Sequence, residues 1–157
     1  MSIWRPSTTA ILMAGVVIVV IAAAVSFMLS HFQPRTEVRL SSGVFHLRLA
    51  DDEPSREKGL SGVEALKSDD GLLMIFDTDD KWAIWMKDMK IPLDIVWLDS
   101  SKKVIYIVKN AAPELSTDKI FTPAEKARYV IELSAGATQQ YGIKLGDQAT
   151  FNERGGQ

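Results

Sequence analysis

At 157 residues the chain has room for one ordinary domain and a small addition. Eighteen Lys and Arg stand against twenty Asp and Glu, a net charge of −2, which leaves neither the basic footprint of a nucleic-acid binder nor a cluster for lipid headgroups. With no cysteine, disulfide staples, thiolate metal sites and a cysteine nucleophile are excluded.

The first element is apolar. No residue from Pro6 to Ser30 is charged, and AILMAGVVIVVIAAAVSFML (Ala10 to Leu29) is nearly all hydrocarbon. About 20 apolar residues, at roughly 1.5 Å each, cross a hydrocarbon core of about 30 Å. A cleaved signal peptide has a shorter core and a small-x-small site, whereas this run ends in SFMLSHFQP. A buried core helix needs a polar outer face that the run lacks. The expectation is a single transmembrane signal anchor over residues 10–30, after a tail (1–9) and before a linker (31–36). Arg5 favours a cytoplasmic N-terminus, while Arg35 and Arg39 pull the other way. A whole domain crosses largely regardless of charge, so the C-terminal part is expected outside the cytoplasm, on the cell membrane.

Beyond the linker, a β domain is expected over 37–152, with a frayed tail at 153–157. TEVRLSSGVFHLRLADD alternates: Val38, Leu40, Phe45, Leu47 and Leu49 face one way, His46 and Arg48 the other. Period two broken by Ser-Ser-Gly predicts a hairpin. DEPSREKGLSGVEALKSDDG changes character; Pro54 suits a first helical turn, and Gly59 and Gly62 end it. LLMIFD, WAIWM, LDIVWL, KVIYIV and RYVIEL are short apolar runs bounded by charges, proline or serines, as in strands buried on both faces. SAGATQQYG predicts a short helix from a Ser134 cap to a Gly142 stop, and IKLGDQATF a turn and a last strand. Seven or eight short strands with little helix predict a mostly β fold: a small antiparallel sandwich or jelly-roll-like barrel with one or two short helices, preceded by the transmembrane helix.

Few motifs carry chemistry. His31 and His46 are not clustered, so a histidine-based zinc site is not expected. Asp51-Asp52, Asp69-Asp70 and Asp77-Thr78-Asp79-Asp80-Lys81 lack EF-hand spacing, and turn chemistry explains them. There is no nucleophile elbow or phosphate loop, and no metal or cofactor is expected.

One stretch stands apart: WAIWMKDMKIPLDIVWLD. Alternation puts Trp82, Ile84 and Met86 on one face, and Ala83, Trp85 and Lys87 on the other. Pro92 cannot donate to a ladder, so Asp88 to Pro92 reads as a tight connection between two adjacent strands. The second strand then points Asp94, Val96 and Leu98 one way, and Leu93, Ile95 and Trp97 the other. A carboxylate entering a core needs partners. Asp94 is expected either to pair with Lys87 or Lys90 in a cleft walled by aromatics, or to accept backbone N–H groups of its own turn as a clamp.

The same stretch, with EKGL before it and ARYVIELSAGATQQYGIKLGDQATF after it, resembles a bacterial and archaeal family known only as domain of unknown function one-hundred-ninety-two. Its pattern is E-x-G-L-M, G-M-L-F, F-W-M-K-N-T-x-I-P-L-D, V-L-E-L-x-A-G and G-I-K-x-G-D. The resemblance spans about residues 37–152. It implies a small, mostly β domain, often exported behind a signal or anchor, with no settled activity. By position, the recurring residues fall on Glu57, Gly59, Leu60, Gly71, Trp85, Met86, Lys87, Ile91, Pro92, Leu93, Asp94, Glu132, Gly136 and Asp147. The chain departs at Ser61 (usually Met), at Leu72-Leu73-Met74 (usually Met-Leu-Phe) and at Asp88 (usually Asn). An aspartate there would turn an amide contact into an acceptor-only one.

The expected role is ligand or partner binding by an anchored module, with Trp85 as apolar wall and Lys87, Asp88, Asp94 and Glu57 as polar contacts. A small molecule, a glycan or a protein fits as the ligand; nucleic acid does not. The alternatives are a hydrolase built on Glu57, Asp94 and Asp88, and a purely structural or assembly module.

Overall fold

The computed structural model describes residues 15, 17–23, 35–113 and 120–153. Residues 17–23 are helical, with exposed apolar side chains from Val17 to Ile21. Among the described residues no helix is long and apolar enough to cross a membrane. The expected N-terminal tail, most of the expected span, residues 31–34 of the expected linker and residues 154–157 of the tail lie outside the described residues.

From Arg35 onward the chain is mostly β. The strands are β1 (Arg35–Leu40), β2 (Gly43–Ala50), β3 (Asp70–Asp80), β4 (Ile84–Trp85), β5 (Leu93–Leu98), β6 (Val104–Ala111), β7 (Ile120–Phe121), β8 (Ala127–Ser134) and β9 (Ala149–Thr150). Seven of them form one sheet in the order β6-β5-β8-β3-β2-β1-β9, and β4 and β7 form a separate pair. β1 (Arg35–Leu40) and β2 (Gly43–Ala50) make the expected hairpin, with Ser41 at φ 54° in the turn. The first strand takes in Arg35 and Thr36, which read as linker in the sequence. Val38, Leu40, Phe45, Leu47 and Leu49 are all buried, while His46 is exposed.

β2 and β3 (Asp70–Asp80) pair parallel, which corrects the all-antiparallel expectation. Parallel neighbours need a crossover of a dozen or more residues. Residues 51–69 supply it, including helix α1 (Glu53–Lys58), whose Asp52 cap accepts from the Ser55 N–H. β5 (Leu93–Leu98), β6 (Val104–Ala111) and β8 (Ala127–Ser134) add antiparallel ladders, so β5, β8 and β3 form the middle of the sheet. Gly71 sits where β3 passes β8; a Cβ there would stand 2.3 Å from the Glu132 carbonyl oxygen, so only glycine fits the close approach.

The sheet curls until its ends approach. Lys103, before β6, bridges Gln148, before β9 (Ala149–Thr150), and the Val104 N–H donates to the Asp147 carbonyl. Inside the curl lies one core, including Leu73, Val96, Leu98, Ile131 and Leu133. The short helix α2 (Ala137–Gln140) joins it; its N-cap is Gly136 at φ 88°, not Ser134. On the outer face, Leu72, Met74, Phe76, Ile95, Trp97 and Val130 build a second core with Leu60, Met86 and Met89 from the surrounding loops. Apart from Asp94, the β5 run is apolar because both faces are covered: Leu93, Ile95 and Trp97 feed the outer core, Val96 and Leu98 the inner one, and every residue is buried.

The Trp82–Asp94 stretch does not form the hairpin read from its sequence. β4 (Ile84–Trp85) pairs with β7 (Ile120–Phe121), while β5 pairs with β6 and β8. The chain leaves the β4 line at Asp88, whose φ of 56° lies in the left-handed region. Asn and Asp enter that region more readily than other side-chain-bearing residues, which accounts for an acidic residue where the resembling family carries Asn. Met86 and Met89 anchor the loop in the outer core, and the Gly62 N–H donates to the Asp88 carbonyl.

Candidate functional site

A cleft of about 380 Å³ opens on the outer face of the sheet, between α1 with its exit loop and residues 82–89. Its walls are aromatic. Phe76 and Trp82 stack with centroids 4.2 Å apart and planes at 11°, and the Arg56 guanidinium covers the Phe76 ring at 5.1 Å. Arg56 is fixed there because its Nη1 donates to the Ile75 carbonyl at 2.8 Å. Trp85 is 44% exposed, with the Lys87 ammonium 5.3 Å from its ring centroid. Alternation along 82–87 holds: Ile84 and Met86 are buried, and Ala83, Trp85 and Lys87 are exposed.

Glu132 also lines the cleft, from the deepest element. It sits on β8 in a cross-sheet row, flanked by Leu72 of β3 and Ile95 of β5. The row continues through Leu72 to Arg48 of β2. Glu132 is 3% exposed, and its Oε2 has no hydrogen-bond partner within the protein. Burial pushes its carboxyl up to about 7, against the opposing pull of the Arg48 guanidinium and the Leu60 N–H. Arg48 Nε is likewise buried and unpaired. A near-neutral carboxyl can donate or accept a proton, and can accept or donate a hydrogen bond.

Gly59 keeps this carboxyl uncapped. A Cβ there would stand 3.4 Å from Oε2, and the backbone at φ 49°, ψ −132° lies where only glycine sits without strain. Leu60 and Ser61 follow; Leu60 is fully buried in the outer core, and the Ser61 hydroxyl donates to the Lys87 carbonyl at 2.9 Å. The two sides of the cleft are thus tied together at its end.

Of the residues expected at a site, Trp85, Lys87 and Glu57 line this cleft. Asp88 shapes the neighbouring loop through its backbone. Asp94 is elsewhere. It is fully buried, and accepts the Asn110 N–H at 2.9 Å, the Thr138 N–H at 2.8 Å and the Thr138 hydroxyl at 2.6 Å. It shares its side of β5 with Val96 and Leu98, which face the inner core, so Asp94 and Glu57 lie on opposite faces of the sheet. Of the two expected arrangements, a lysine pair or a clamp on the N–H groups of its own turn, Asp94 takes the clamp's form, but with donors from distant segments that join β5 to β6 and to the start of α2. Asp147 has a comparable task, accepting from the Ser41 hydroxyl and the Lys144 N–H, and these contacts hold its carboxyl below the usual range.

Glu132 is not among the site candidates read from the sequence, although it falls on the pattern of the resemblance. The signal is a lone carboxylate inside the run RYVIEL, the same anomaly as Asp94 in LDIVWL. Among the described residues no group of three or more His, Asp or Glu could hold a metal ion.

The fold and site define a class: a small curled-sheet domain with an aromatic-walled cleft floored by a buried carboxyl. The comparisons then place the chain. It belongs to the DUF192 family, described as "Uncharacterized ACR", whose family model matches residues 36–151. It is 32% identical over 109 residues to a UPF0127 protein of Thermococcus gammatolerans, covering 68% of this chain and 67% of that one. Two solved structures are similar. One, from Sinorhizobium meliloti and described as a candidate transcription regulator, matches with a TM-score of 0.72 at 29% identity, over 76% of this chain and 95% of its own. The other, a protein of unknown function from Novosphingobium aromaticivorans, matches with a TM-score of 0.68 at 28% identity, over 74% and 83%.

Proposed function

We propose that this chain is a non-enzymatic, membrane-anchored binding module whose β domain lies outside the cytoplasm and holds a ligand in the cleft between α1 and Trp85–Lys87. The observation that carries it is the Glu132 carboxyl, buried with a free oxygen at the floor of an aromatic-walled cavity. A buried acceptor without a partner costs stability, and structures retain such groups where they do something else. Trp85 serves as apolar wall, and Lys87 and Glu57 as polar contacts at the rim. Anchoring rests on the uncharged run from Pro6 to Ser30.

The test uses the full-length chain in nanodiscs, labelled with fluorotryptophan and titrated with a fragment library. Saturable shifts confined to Trp82 and Trp85, weakened in Lys87→Ala and Glu132→Gln, are the expected result. Equal affinity in the wild type and both variants sinks the site. Anchoring and sidedness are read separately, from membrane fractionation and from protease access to the β domain in spheroplasts.

A second reading has one observation behind it. A carboxyl pushed to about 7 in a cleft that also holds Glu57 suits a general acid or base. Turnover of a chromogenic ester or glycoside, lost in Glu132→Gln, would favour it over simple binding.

A further inference from the structure

The charge pattern of the cleft narrows the chemistry of what enters it. This step rests on the cleft being a ligand site. Its lining carries three acids (Glu53, Glu57, Glu132) and three bases (Arg56, Lys58, Lys87). An ammonium group drawn to Glu132 meets the three bases, and an anion drawn to the bases meets the three acids. A hydroxyl group escapes this conflict, because it donates to a carboxylate and accepts from an ammonium or guanidinium. It also satisfies Glu132 in either protonation state. The remaining surface is flat and apolar: the outer face of the Trp82–Phe76 stack, the half-exposed Trp85 ring, and Met74 and Met89. A volume of about 380 Å³ lies at the small end of ligand pockets, suited to one ring rather than an extended chain.

We propose that the cleft takes a neutral, polyhydroxylated ring of the size of a single pyranose, with one hydroxyl on Glu132 Oε2 and an apolar ring face against the indoles. Gly59 fits this assignment: it sets no side chain against the carboxyl, where a Cβ would touch Oε2 at 3.4 Å.

The experiment uses the fluorotryptophan-labelled full-length chain and three sets of probes: methyl glycosides of glucose, galactose and N-acetylglucosamine; putrescine; and acetate. At least one glycoside is expected to shift the Trp82 and Trp85 signals saturably while Trp97, sealed in the outer core, stays still. At pH 8, where the Glu132 carboxyl is ionised, Glu132→Gln is expected to weaken that binding about tenfold or more, as loss of a hydrogen bond to a charged group does. Trp85→Ala, at an exposed position that leaves the fold intact, gives a second loss that does not depend on the buried site. If putrescine or acetate saturates the cleft and no glycoside does, the ligand class is overturned and the cleft remains a binding site. Glycoside binding unchanged by Glu132→Gln overturns the assigned contact. Silence of all three probe sets overturns the inference, and silence of the broader fragment library as well removes the cleft as a ligand site.

Discussion

Among the described residues two carboxyls are buried, on opposite faces of one sheet, and they are treated in opposite ways. Asp94 has both oxygens engaged by three donors, from β6 and from the start of α2. Glu132, one residue pair along the same β5–β8 ladder, keeps one oxygen without a partner and looks into a cavity. Both interrupt an apolar strand. The difference teaches that an acidic residue in a core strand has two meanings. Satisfied on all sides, it fastens the fold; left incomplete, it waits for something from outside.

The comparison breaks most visibly at Asp94. Asp94→Ala leaves three donors, two of them buried, without an acceptor, and should cost about 3–5 kcal/mol in urea unfolding. A loss below about 1 kcal/mol would remove the clamp from the account. The counterpart at Glu132 has the opposite sign. Its carboxyl is ordinarily near 4.5 and is raised to about 7 in the folded chain. Between those values the native state keeps a proton that the unfolded chain releases, so this group's contribution falls as pH rises through the window, by ~3 kcal/mol in all. Glu132→Gln should flatten that fall, and above pH 7 should leave the protein at least as stable as the wild type. The measurement is the wild-type-minus-variant difference across pH 5 to 8, and a difference that does not change with pH refutes it. Taking the difference matters, because Asp52, Asp99, Asp147 and Glu153 are all held below their usual ranges and destabilise the fold only on stronger acidification.

A smaller effect is expected at Gly59→Ala, roughly 1–2 kcal/mol from a backbone that suits glycine alone, together with a methyl group set against Glu132 Oε2. Thermal unfolding reads the first part, and probe affinity in the cleft reads the second. The smallest stability change belongs to Trp85→Ala. A half-exposed side chain on a two-residue strand should move stability by no more than about 0.5 kcal/mol. Its effect should appear instead in cleft titrations. A large stability loss there would assign Trp85 to the core.

How much of this was legible differs from element to element. The β1–β2 hairpin could be read because strict alternation assigns a face to each residue, and burial followed it from Val38 to Leu49. The apolar runs of β3, β5 and β8 announced strands covered on both faces, and two cores were found there. Trp85 and Lys87 could be named as candidates, since charged and aromatic residues on an exposed face are a local signal, and Glu57 from its place in the pattern that the sequence resembles. The partnerships of Asp94 and Glu132 could not. The donors to Asp94 lie 16 and 44 residues away, and the cleft above Glu132 is closed by a helix nearly 75 residues earlier in the chain.

By itself the sequence determined the periodicity: where strands run, which residues face inward, where glycine and proline force the chain to turn, and that an uncharged apolar run precedes the β domain. Only the tertiary structure decided the pairing: that β2 meets β3 in parallel, that β4 leaves the main sheet for β7, and that Asp94 and Glu132 fall on opposite faces. The reason is physical. Alternation is a property of neighbouring residues, fixed by backbone geometry at two-residue spacing. Which donor reaches which carboxyl depends on contacts between segments far apart in the chain, and these are chosen by the packing of two whole cores.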